Sequence, residues 1–564
     1  MILANSQTEK FGSLFNAGLR FEIPPYQRKY SWRLKQAEEL WEDIKNSYES
    51  GEDHFMGTLS LLEVEKEGIQ TQEVYEIIDG QQRITTMYLL LNVLIDRIPE
   101  SGNKDELRKN IIGDSDNPRI KLLGADDEWL TTFIFGDKDE VATKRSQKNI
   151  QEVHEYFKDI VSSYDSDEIE AIIKFMQERI KFLIFKVKDP GQAIKMFSSI
   201  NDRGLQLKTL DKVKSILMLY DHLCLEENLK NEINDSFEKI FDAYDQIFTS
   251  MEDLEVDGRG VLGTLDEDTV LSHHYISARE LFTDWNKKNP SAKNIFTQIK
   301  RGCESNRNKP EELKKFISGY VSDFTDFVTS YSKLLGGIKS NPEYDKVFRC
   351  LEFSGTLYPL IIRLYMLGKL EKFIPILEAI EIRIYKLRGT NPKADIHELS
   401  SAVSGGMELN EINKLLVDFC EYYGGNSYIK NKLREQIYSN SAIKYILHSY
   451  SGDKLKFNEY RKLDKEHIFS SNSSIQLSHY GFEESSYDYE KDKIGNICLL
   501  EAAKNKAASN KAPADKVQVY LESCVKDTIK IGSTIKKNND FNKKDIDARG
   551  EEIIEFCIRE FKIN

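Results

Sequence analysis

The stretch YEIIDGQQRITTM, residues 75–87, decides the fold of the N-terminal part of the chain. It follows the run HFMGTLSLLEV (residues 54–64). Both runs are rich in β-forming residues and are separated by a charged, glycine-containing turn, which predicts a β-hairpin. After the hairpin the apolar residues recur at helical spacing, at Ile84, Met87, Leu91, Leu94 and Ile98. The sequence therefore predicts a strand, a tight turn and a helix in direct succession.

The polar residues of this junction allow two interpretations; they are Asp79, Gly80, Gln81, Gln82 and Arg83. A helix N-terminus has free N–H groups, a glycine lets the backbone approach a ligand, and an arginine can bind phosphate with two hydrogen bonds. The junction is therefore a candidate anion site. Asp-Gly is also common where an ordinary strand turns into a helix, and both interpretations stay open on the residues alone.

Two further polar clusters carry arginines. The segment IPPYQRKYSW (residues 23–32) holds Arg28 among aromatic side chains that could stack on a base. The segment SINDRGLQLKTLDKVKS (residues 199–215) places Asp211 and Lys214 at the start of a predicted helix, after the polar string NDRG. That string is equally typical of a helix end capped by glycine, so a structural interpretation stays open as well.

Length and composition predict a multidomain globular protein. A chain of 564 residues exceeds the size at which one core keeps growing, and 40% hydrophobic with 30% charged residues is typical of a globular fold. The N-terminus lacks a signal-peptide pattern and no stretch is apolar enough to span a membrane, so we expect a cytoplasmic protein with no membrane partner. The seven cysteines form no C-x-x-C pair, which argues for reduced thiols.

The charge of the chain is uneven. A formal net charge of −14 counts against nucleic-acid binding by the chain as a whole, because phosphate contacts need Lys and Arg. Between Lys504 and Lys544, however, ten lysines stand against four acidic residues. This lysine-rich stretch is either a solvated face or a surface that contacts DNA.

Three regions differ in their patterns, and we expect an α+β multidomain protein. Residues 1–220 mix strand and helix signals, including the strand IKFLIFKV, residues 221–450 show long amphipathic helices, and residues 451–564 contain short elements rich in Lys, Asn and Ser. The nearest string to a P-loop, LLGGIKSNP, lacks the Gly-Lys pair. His273 and His274 are adjacent, so they point to different helix faces, and we expect packing or capping rather than a shared metal.

The C-terminal region holds a second set of candidate residues, namely Glu466, His467, Asn496 and Asn505. Hydrolysis of a phosphodiester needs a base that activates water and a cation that neutralises charge on the phosphate. A neutral histidine suits the first task at pH 7, and carboxylate and amide oxygens suit Mg²⁺. These residues are candidates for a one-metal nuclease site, although a lone Glu-His pair is also a common surface or capping feature.

PPYQRKYSW, FMGTL, IIDGQQRITTM and FSSINDRGLQLKTLDKVKS resemble the N-terminal domain of GmrSD-type modification-dependent restriction enzymes and their relatives SspE and BrxU. That domain is similar to the ParB/sulfiredoxin fold, and the resemblance covers roughly the first 220 residues. It implies binding and hydrolysis of an NTP, either GTP or ATP, at the DGQQR string. The implied site residues are Asp79, Gly80, Gln81, Gln82 and Arg83, with Arg28 and Gly57 as neighbours.

EHI followed by GNICLLEAAKNK resembles the ββα-metal (HNH) nuclease motif of the C-terminal domain in the same enzymes, over about residues 451–564. The resemblance implies that His467 is the general base, that Asn496 orients it through a hydrogen bond, and that Glu466 and Asn505 bind the metal. It also implies phosphate contacts for basic residues, namely Lys506 or Lys511 and Arg549. The relatives often read E-H-I-x-P-Q where this chain has EHIFSSN, so the loop after the histidine departs from the family.

Together the resemblances imply a restriction endonuclease or nickase in anti-phage defence. It would cut double-stranded DNA, in particular modified phage DNA, with Mg²⁺ and with NTP hydrolysis, and the helical middle region would connect the two active domains. The alternative is a nucleotide-responsive DNA-binding or scaffold protein that does not cut. The sequence leaves open which modification is recognised, which NTP is used, and whether the protein forms a homodimer.

Overall fold

The computed structural model divides the chain into two compact units. The first comprises residues 1–249 and 292–325, and the second comprises residues 250–291 and 326–564. The residues described are 5–16, 19–24, 27–64, 73–100, 103–136, 141–189, 208–255, 260–282, 285, 291–470, 476–538 and 541–563. Tyr26, the NDRG string and the helix predicted before that string lie outside them. The boundaries at 220 and 450 refer to sequence modules and stay a prediction.

The first unit contains a six-stranded mixed sheet. Its strands are β1 (Asn5–Lys10), β2 (Arg20–Glu22), β3 (His54–Glu63), β4 (Val74–Asp79), β5 (Ile120–Lys121) and β6 (Ile180–Val187), in the spatial order β1-β6-β3-β4-β2-β5. β3 pairs antiparallel with β4 and parallel with β6, β1 is antiparallel to β6, and β2 is parallel to both β4 and β5. The predicted β3–β4 hairpin and the predicted strand β6 are confirmed.

Helices make up most of the rest of the described chain. In chain order they are α1 (Phe11–Asn16), α2 (Leu34–Ser50), α3 (Gln81–Asp96), α4 (Lys104–Leu107), α5 (Ala125–Phe135), α6 (Arg145–Val161), α7 (Ser166–Arg179), α8 (Thr209–Cys224), α9 (Lys230–Leu254), α10 (Val261–Thr264), α11 (Glu267–Ser277), α12 (Ala292–Asn306), α13 (Pro310–Gly337), α14 (Pro342–Tyr344), α15 (Tyr358–Met366), α16 (Leu370–Ile380), α17 (Lys393–Ser404), α18 (Leu409–Gly424), α19 (Asn426–Leu433), α20 (Ala442–Ser451), α21 (Phe457–Tyr460), α22 (Tyr487–Glu490), α23 (Ala502–Ala508), α24 (Pro513–Leu521), α25 (Lys526–Asn538) and α26 (Lys543–Glu560). Three π-helical segments (Arg108–Ile112, Asp345–Leu351 and Glu381–Arg388) and five 3-10 turns (Arg279–Leu281, Ile338–Ser340, Gly355–Leu357, Leu477–Tyr480 and Ile494–Asn496) complete the set. The long helical pattern predicted after residue 220 is confirmed.

α3 is buried on all sides, although its spacing predicts one apolar face. Besides that face, Leu89, Leu90 and Val93 are also buried, and α3 packs against α6 and α7 within the core of the first unit. A helix that is apolar all round belongs in the interior. The DGQQR string at its start is therefore held in place by the core.

The second unit contains one hairpin among its described residues, formed by β7 (Leu463–His467) and β8 (Ile497–Glu501). The strands are antiparallel, with Glu466 opposite Cys498 and His467 opposite Ile497. α23 follows β8 directly, so the hairpin and one helix form a β-β-α succession. The chain is thus a multidomain α+β protein. None of its described helices combines the length and apolar character needed to cross a membrane.

Candidate functional site

The N-terminal cluster comprises Arg28, Gly57 and residues 79–83, which the structure brings together where β4 meets α3. The two glutamines bind the backbone of the segment around Arg28. Gln81 Nε2 donates to the Arg28 carbonyl at 3.1 Å, and Gln82 Oε1 accepts from the backbone N–H groups of Ser31 and Trp32 at 2.9 and 3.2 Å. The glutamines therefore fix a neighbouring loop segment, a role that the sequence alone did not indicate.

The guanidinium of Arg83 binds the protein itself. Nη1 donates to the Met56 carbonyl at 2.7 Å, and Nη2 donates to the Thr58 carbonyl at 2.8 Å and lies 3.5 Å from Asp79 Oδ2. Burial lowers the pKa of Arg83, and the Asp79 carboxylate opposes this change. In this arrangement Arg83 joins β3 to the turn before α3, and its phosphate-binding role stays a prediction.

Two glycines make room for this arrangement. Gly57 and Gly80 both have φ of about +101°, which L side chains rarely adopt. A Cβ on Gly57 would lie 2.2 Å from Arg83 Nη1, and a Cβ on Gly80 would lie 2.9 Å from Leu59 Cδ1. Gly57 therefore lies against the guanidinium of Arg83. The family resemblance implied that it neighbours the predicted site.

Arg28 is tied to the helices that follow the sheet. Its Nη2 lies 2.7 Å from Asp211 Oδ2 on α8, and the neighbouring Lys29 Nζ lies 2.5 Å from Asp242 Oδ1 on α9. Lys214, also on α8, is buried, and desolvation lowers its pKa to about 7 although Asp211 opposes the change. The sequence singled out Asp211 and Lys214 but could not pair Asp211 with a residue 183 positions away.

The space enclosed by this cluster is small. Arg28, Gln81 and Gln82 are among the residues around a void of about 10 Å³, which is room for one water molecule. A nucleotide that binds to these described residues has to lie over their surface or displace some of their mutual hydrogen bonds. The assignment of the N-terminal cluster to a nucleotide stays a prediction.

The hairpin cluster comprises Glu466, His467, Asp492, Asn496 and Asn505, around β7, β8 and the start of α23. His467 Nε2 lies 2.9 Å from Asp492 Oδ1, and the imidazole stacks on the Tyr438 ring at 4.2 Å and 14°. Burial lowers the pKa of His467, and the hydrogen bond to Asp492 opposes this. The ring is therefore neutral at pH 7, the form in which an imidazole accepts a proton.

The family resemblance implied that Asn496 orients the ring of His467. In the structure the ring is hydrogen-bonded to Asp492 instead. Asn496 Oδ1 accepts from the backbone N–H of Phe469 at 2.8 Å, and its Nδ2 donates to the carbonyls of Phe469 and Lys491 at 3.0 and 2.8 Å. Asn496 thus fixes the backbone just after His467. The sequence did not single out Asp492, which lies 25 residues after His467.

Glu466 does not fit a metal ligand in this arrangement. Its Oε1 lies 2.6 Å from the Nζ of Lys516, which is fully buried, and it accepts from the Tyr520 hydroxyl at 3.2 Å. The ammonium takes the place beside the carboxylate that a cation would need. Asn505 Nδ2 donates to the Lys465 carbonyl at 3.4 Å, and its metal role stays a prediction. No group of three His, Cys, Asp or Glu side chains within the described ranges is placed to hold a metal ion.

The basic residues named for phosphate divide into two kinds. Arg549 is buried, pairs with Asp527, and donates to the carbonyls of Gly495 and Ile497 at 2.8 and 2.9 Å, so its assignment to phosphate is wrong. Its side chain instead supports the start of β8. Lys506 and Lys511 are exposed, and their contact with phosphate stays a prediction.

The comparison with family models finds two matches. Residues 11–218 match the model described as the N-terminal domain of the GmrSD restriction endonuclease, and residues 423–556 match the C-terminal domain of GmrSD restriction endonucleases. No curated protein matches the chain. The two matched ranges contain the N-terminal cluster and the hairpin cluster, and together they span more than half of the chain. The chain therefore belongs to the GmrSD restriction endonuclease family, which implies that it is an endonuclease with DNA as its substrate.

Proposed function

We propose that the protein is a modification-dependent endonuclease or nickase that cuts phage DNA in the cytoplasm. The observation that carries the nuclease part is the pairing of His467 with Asp492 at the end of β7. It lies within the residues matched to the GmrSD C-terminal domain and in a hairpin that leads directly into a helix. The succession supports the assignment to an HNH nuclease.

His467 acts as the general base. A carboxylate only accepts hydrogen bonds, so the imidazole nitrogen that faces Asp492, Nε2, carries the proton and donates it in a hydrogen bond. The other nitrogen, Nδ1, then has a free lone pair that can accept a proton from a water molecule. Because burial lowers the pKa of His467, the ring is unprotonated and ready to accept the proton of that water. The water oxygen then attacks the phosphorus of the DNA backbone, the P–O bond to one sugar breaks, and the departing sugar oxygen takes a proton from solvent water. Asp492 stabilises the imidazolium that forms on His467.

Magnesium dependence is a separate part of the proposal and rests on the family resemblance. Asn505 is the predicted ligand that keeps an amide oxygen for this task, whereas Glu466 is engaged by Lys516. Cleavage that persists in excess EDTA would remove the metal from the proposal and leave the base catalysis of His467 intact.

The N-terminal cluster is proposed to bind and hydrolyse GTP or ATP and so to control cleavage. Its support is the convergence of the DGQQR string, Arg28 and Gly57 at one helix start. Arg83→Ala should abolish NTP turnover, either through a lost phosphate contact or through a collapsed turn. Undiminished hydrolysis by a folded Arg83→Ala variant would refute this site.

The test of the nuclease is His467→Ala, with His479→Ala as the matched control at an exposed position. Loss of the general base should reduce cleavage of modified DNA by about 10²–10⁴-fold, while NTP hydrolysis is retained. Equal loss of both activities would contradict this division of labour. A panel of modified and unmodified DNA under one salt condition identifies the mark. A wild-type protein that binds but cuts none of the panel would favour the alternative of a DNA-binding or scaffold protein.

A further inference from the structure

A further candidate binding site lies in the second unit and is formed by elements other than those of the hairpin cluster. A cavity of about 790 Å³ is bordered by α11, the turn Gly355–Leu357, the start of α17 and the end of α18. Its residues fall outside the two ranges matched to family models, apart from Tyr423. Small-molecule sites commonly measure about 300–1,000 Å³, so this cavity has the size of a ligand site.

One side of the cavity favours an anionic group. α17 begins there at Lys393, and Pro392 before it has no side chain that caps the helix. The first turn of a helix carries a partial positive charge and N–H groups that suit phosphate or carboxylate. Lys393 adds a full positive charge, and Asp395 in the same turn carries a negative one. The buried Thr356 lies on the same lining, where its hydroxyl donates to Asn391 Oδ1 at 3.1 Å.

A second part of the lining is polar but uncharged. His273 is buried and its ring is nearly parallel to those of Tyr331 and Tyr358, with interplanar angles of 2° and 12°. Burial lowers the pKa of His273 to about 3, so the imidazole is neutral. Its Nδ1 lies 3.3 Å from the Tyr331 hydroxyl, so Nε2 is the ring nitrogen that remains for a ligand. The packing predicted for His273 is confirmed, and its ring also borders the cavity. Such a lining suits the edge of a nucleobase better than it suits an ion.

A third part of the lining accepts hydrogen bonds. The carboxylate of Asp395 is held by the Tyr423 hydroxyl at 2.8 Å, and both residues border the cavity. A carboxylate repels phosphate but accepts hydrogen bonds from sugar hydroxyls. The cavity therefore combines a cationic helix start, a hydroxyl acceptor and an uncharged ring.

We propose that this cavity binds one nucleoside phosphate, with the phosphate at Lys393, the sugar at Asp395 and the base at the His273 side. The ligand is a free nucleotide or a nucleotide displaced from a DNA strand, since both carry the same groups. The proposal goes beyond the proposed nuclease and NTPase sites and requires neither of them to be correct.

The test is calorimetric titration of the full-length protein with the four deoxynucleoside monophosphates, with inorganic phosphate, and with short duplexes that are fully paired or carry one unpaired nucleotide. We expect saturable binding of a monophosphate or of the duplex with the unpaired nucleotide, and the responding probe identifies the source. Lys393→Glu should weaken that binding about tenfold or more, because it removes a charge-assisted contact. Lys414→Glu, an exposed position on α18, is the charge-matched control and should bind as the wild type does.

Asp395→Asn provides an independent variant, and it applies even if Lys393→Glu fails to fold. It should weaken nucleotide binding several-fold and leave binding of inorganic phosphate unchanged. Nucleotide binding that resists either substitution, no saturable binding of any probe, or inorganic phosphate binding as tightly as a nucleotide would overturn the proposal. NTP hydrolysis by the variants at the wild-type rate keeps this result distinct from any failure of the N-terminal cluster.

Discussion

The N-terminal cluster has a basic side chain, Arg83, in the first turn of the helix after β4, and the hairpin cluster has one, His467, at the end of β7, yet their partners differ in kind. Arg83 donates mainly to the backbone carbonyls of Met56 and Thr58, which do not exchange protons. His467 is paired with the carboxylate of Asp492, which can hold one tautomer and stabilise an added proton. The first arrangement fixes a backbone geometry, and the second suits the proton transfer that we propose for His467.

The difference teaches that a dense polar motif does not by itself identify chemistry. In DGQQR, the side chains of Gln81, Gln82 and Arg83 are used largely to hold neighbouring chain segments in place. The part of the motif that remains available to a ligand is the turn before α3, which these side chains hold in place. Around the hairpin cluster, Asn496, Lys516 and Arg549 bind the backbone, whereas the imidazole of His467 pairs with a carboxylate.

The largest effect in this comparison is expected for Lys516→Met, which removes the contacts of Lys516 with two residues of β7. It leaves the Glu466 carboxylate buried without its partner and also frees the His467 carbonyl that Lys516 binds at 2.7 Å. Breaking a buried ion pair in this way costs about 3–5 kcal/mol of unfolding free energy. Denaturant unfolding of the second unit measures the loss.

The control is Lys511→Met, an exposed lysine of the same stretch, which should change the free energy of unfolding by less than about 0.5 kcal/mol. The double variant Glu466→Gln/Lys516→Met should recover most of the loss, because no charge is left uncompensated. An unchanged stability of Lys516→Met would show that the pair is not part of the scaffold.

A smaller effect, on rate rather than on stability, is expected for Asp492→Asn. The amide no longer fixes the tautomer of His467, so cleavage should fall about 100-fold at pH 7. Asp492 raises the pKa of His467 against the effect of burial, and its loss should lower that pKa. Because cleavage needs the unprotonated ring, the acidic limb of the pH–rate profile should move to lower pH.

The opposite shift, or an unchanged limb with the same loss of rate, would mean that Asp492 acts elsewhere than on the imidazole. Asp488→Asn is the matched control, since that carboxylate is exposed and pairs with Lys491. It should keep both the rate and the pH profile of the wild type.

The smallest effect is expected in the N-terminal cluster, for Gly57→Ala compared with Gly51→Ala. Both positions have positive φ, but a Cβ on Gly51 meets nothing within 4 Å, whereas a Cβ on Gly57 meets Arg83. We expect a loss of about 1 kcal/mol for Gly51→Ala and about 2–3 kcal/mol for Gly57→Ala, because only the second displaces the part-buried hydrogen bonds of Arg83. Thermal unfolding of the two variants measures the difference, and equal losses would contradict a tightly held guanidinium.

Local patterns predicted the elements on which both clusters are built. The runs of β-forming residues in β3 and β4, the strand pattern of β6 and the helical spacing of α3 each depend on neighbouring residues and were confirmed. The order of the sheet was not predicted, because β1, β2 and β5 are short and their places depend on pairings across the whole first unit. The burial of α3 on every side was also not predicted, because it depends on packing against elements from the whole first unit.

The partners in the two sites were missed because they come from distant parts of the chain. Asp492 lies 25 residues after His467, and Lys516 lies 50 residues after Glu466. Lys516 stands in a stretch that reads as a solvated or DNA-binding face, yet it is fully buried. Composition averages over such a stretch, whereas burial is decided for each side chain separately.

The sequence by itself determined the family and the strand-turn-helix succession at DGQQR, since both depend on motifs of residues close together in the chain. Only the tertiary structure decided that Arg83 binds backbone carbonyls, that Glu466 is neutralised by Lys516, and that Asp492 orients His467. The physical reason is that the role and the pKa of a charged side chain depend on the groups that replace water around it when the protein folds. Those groups are brought to it by folding and not by its neighbours in the sequence.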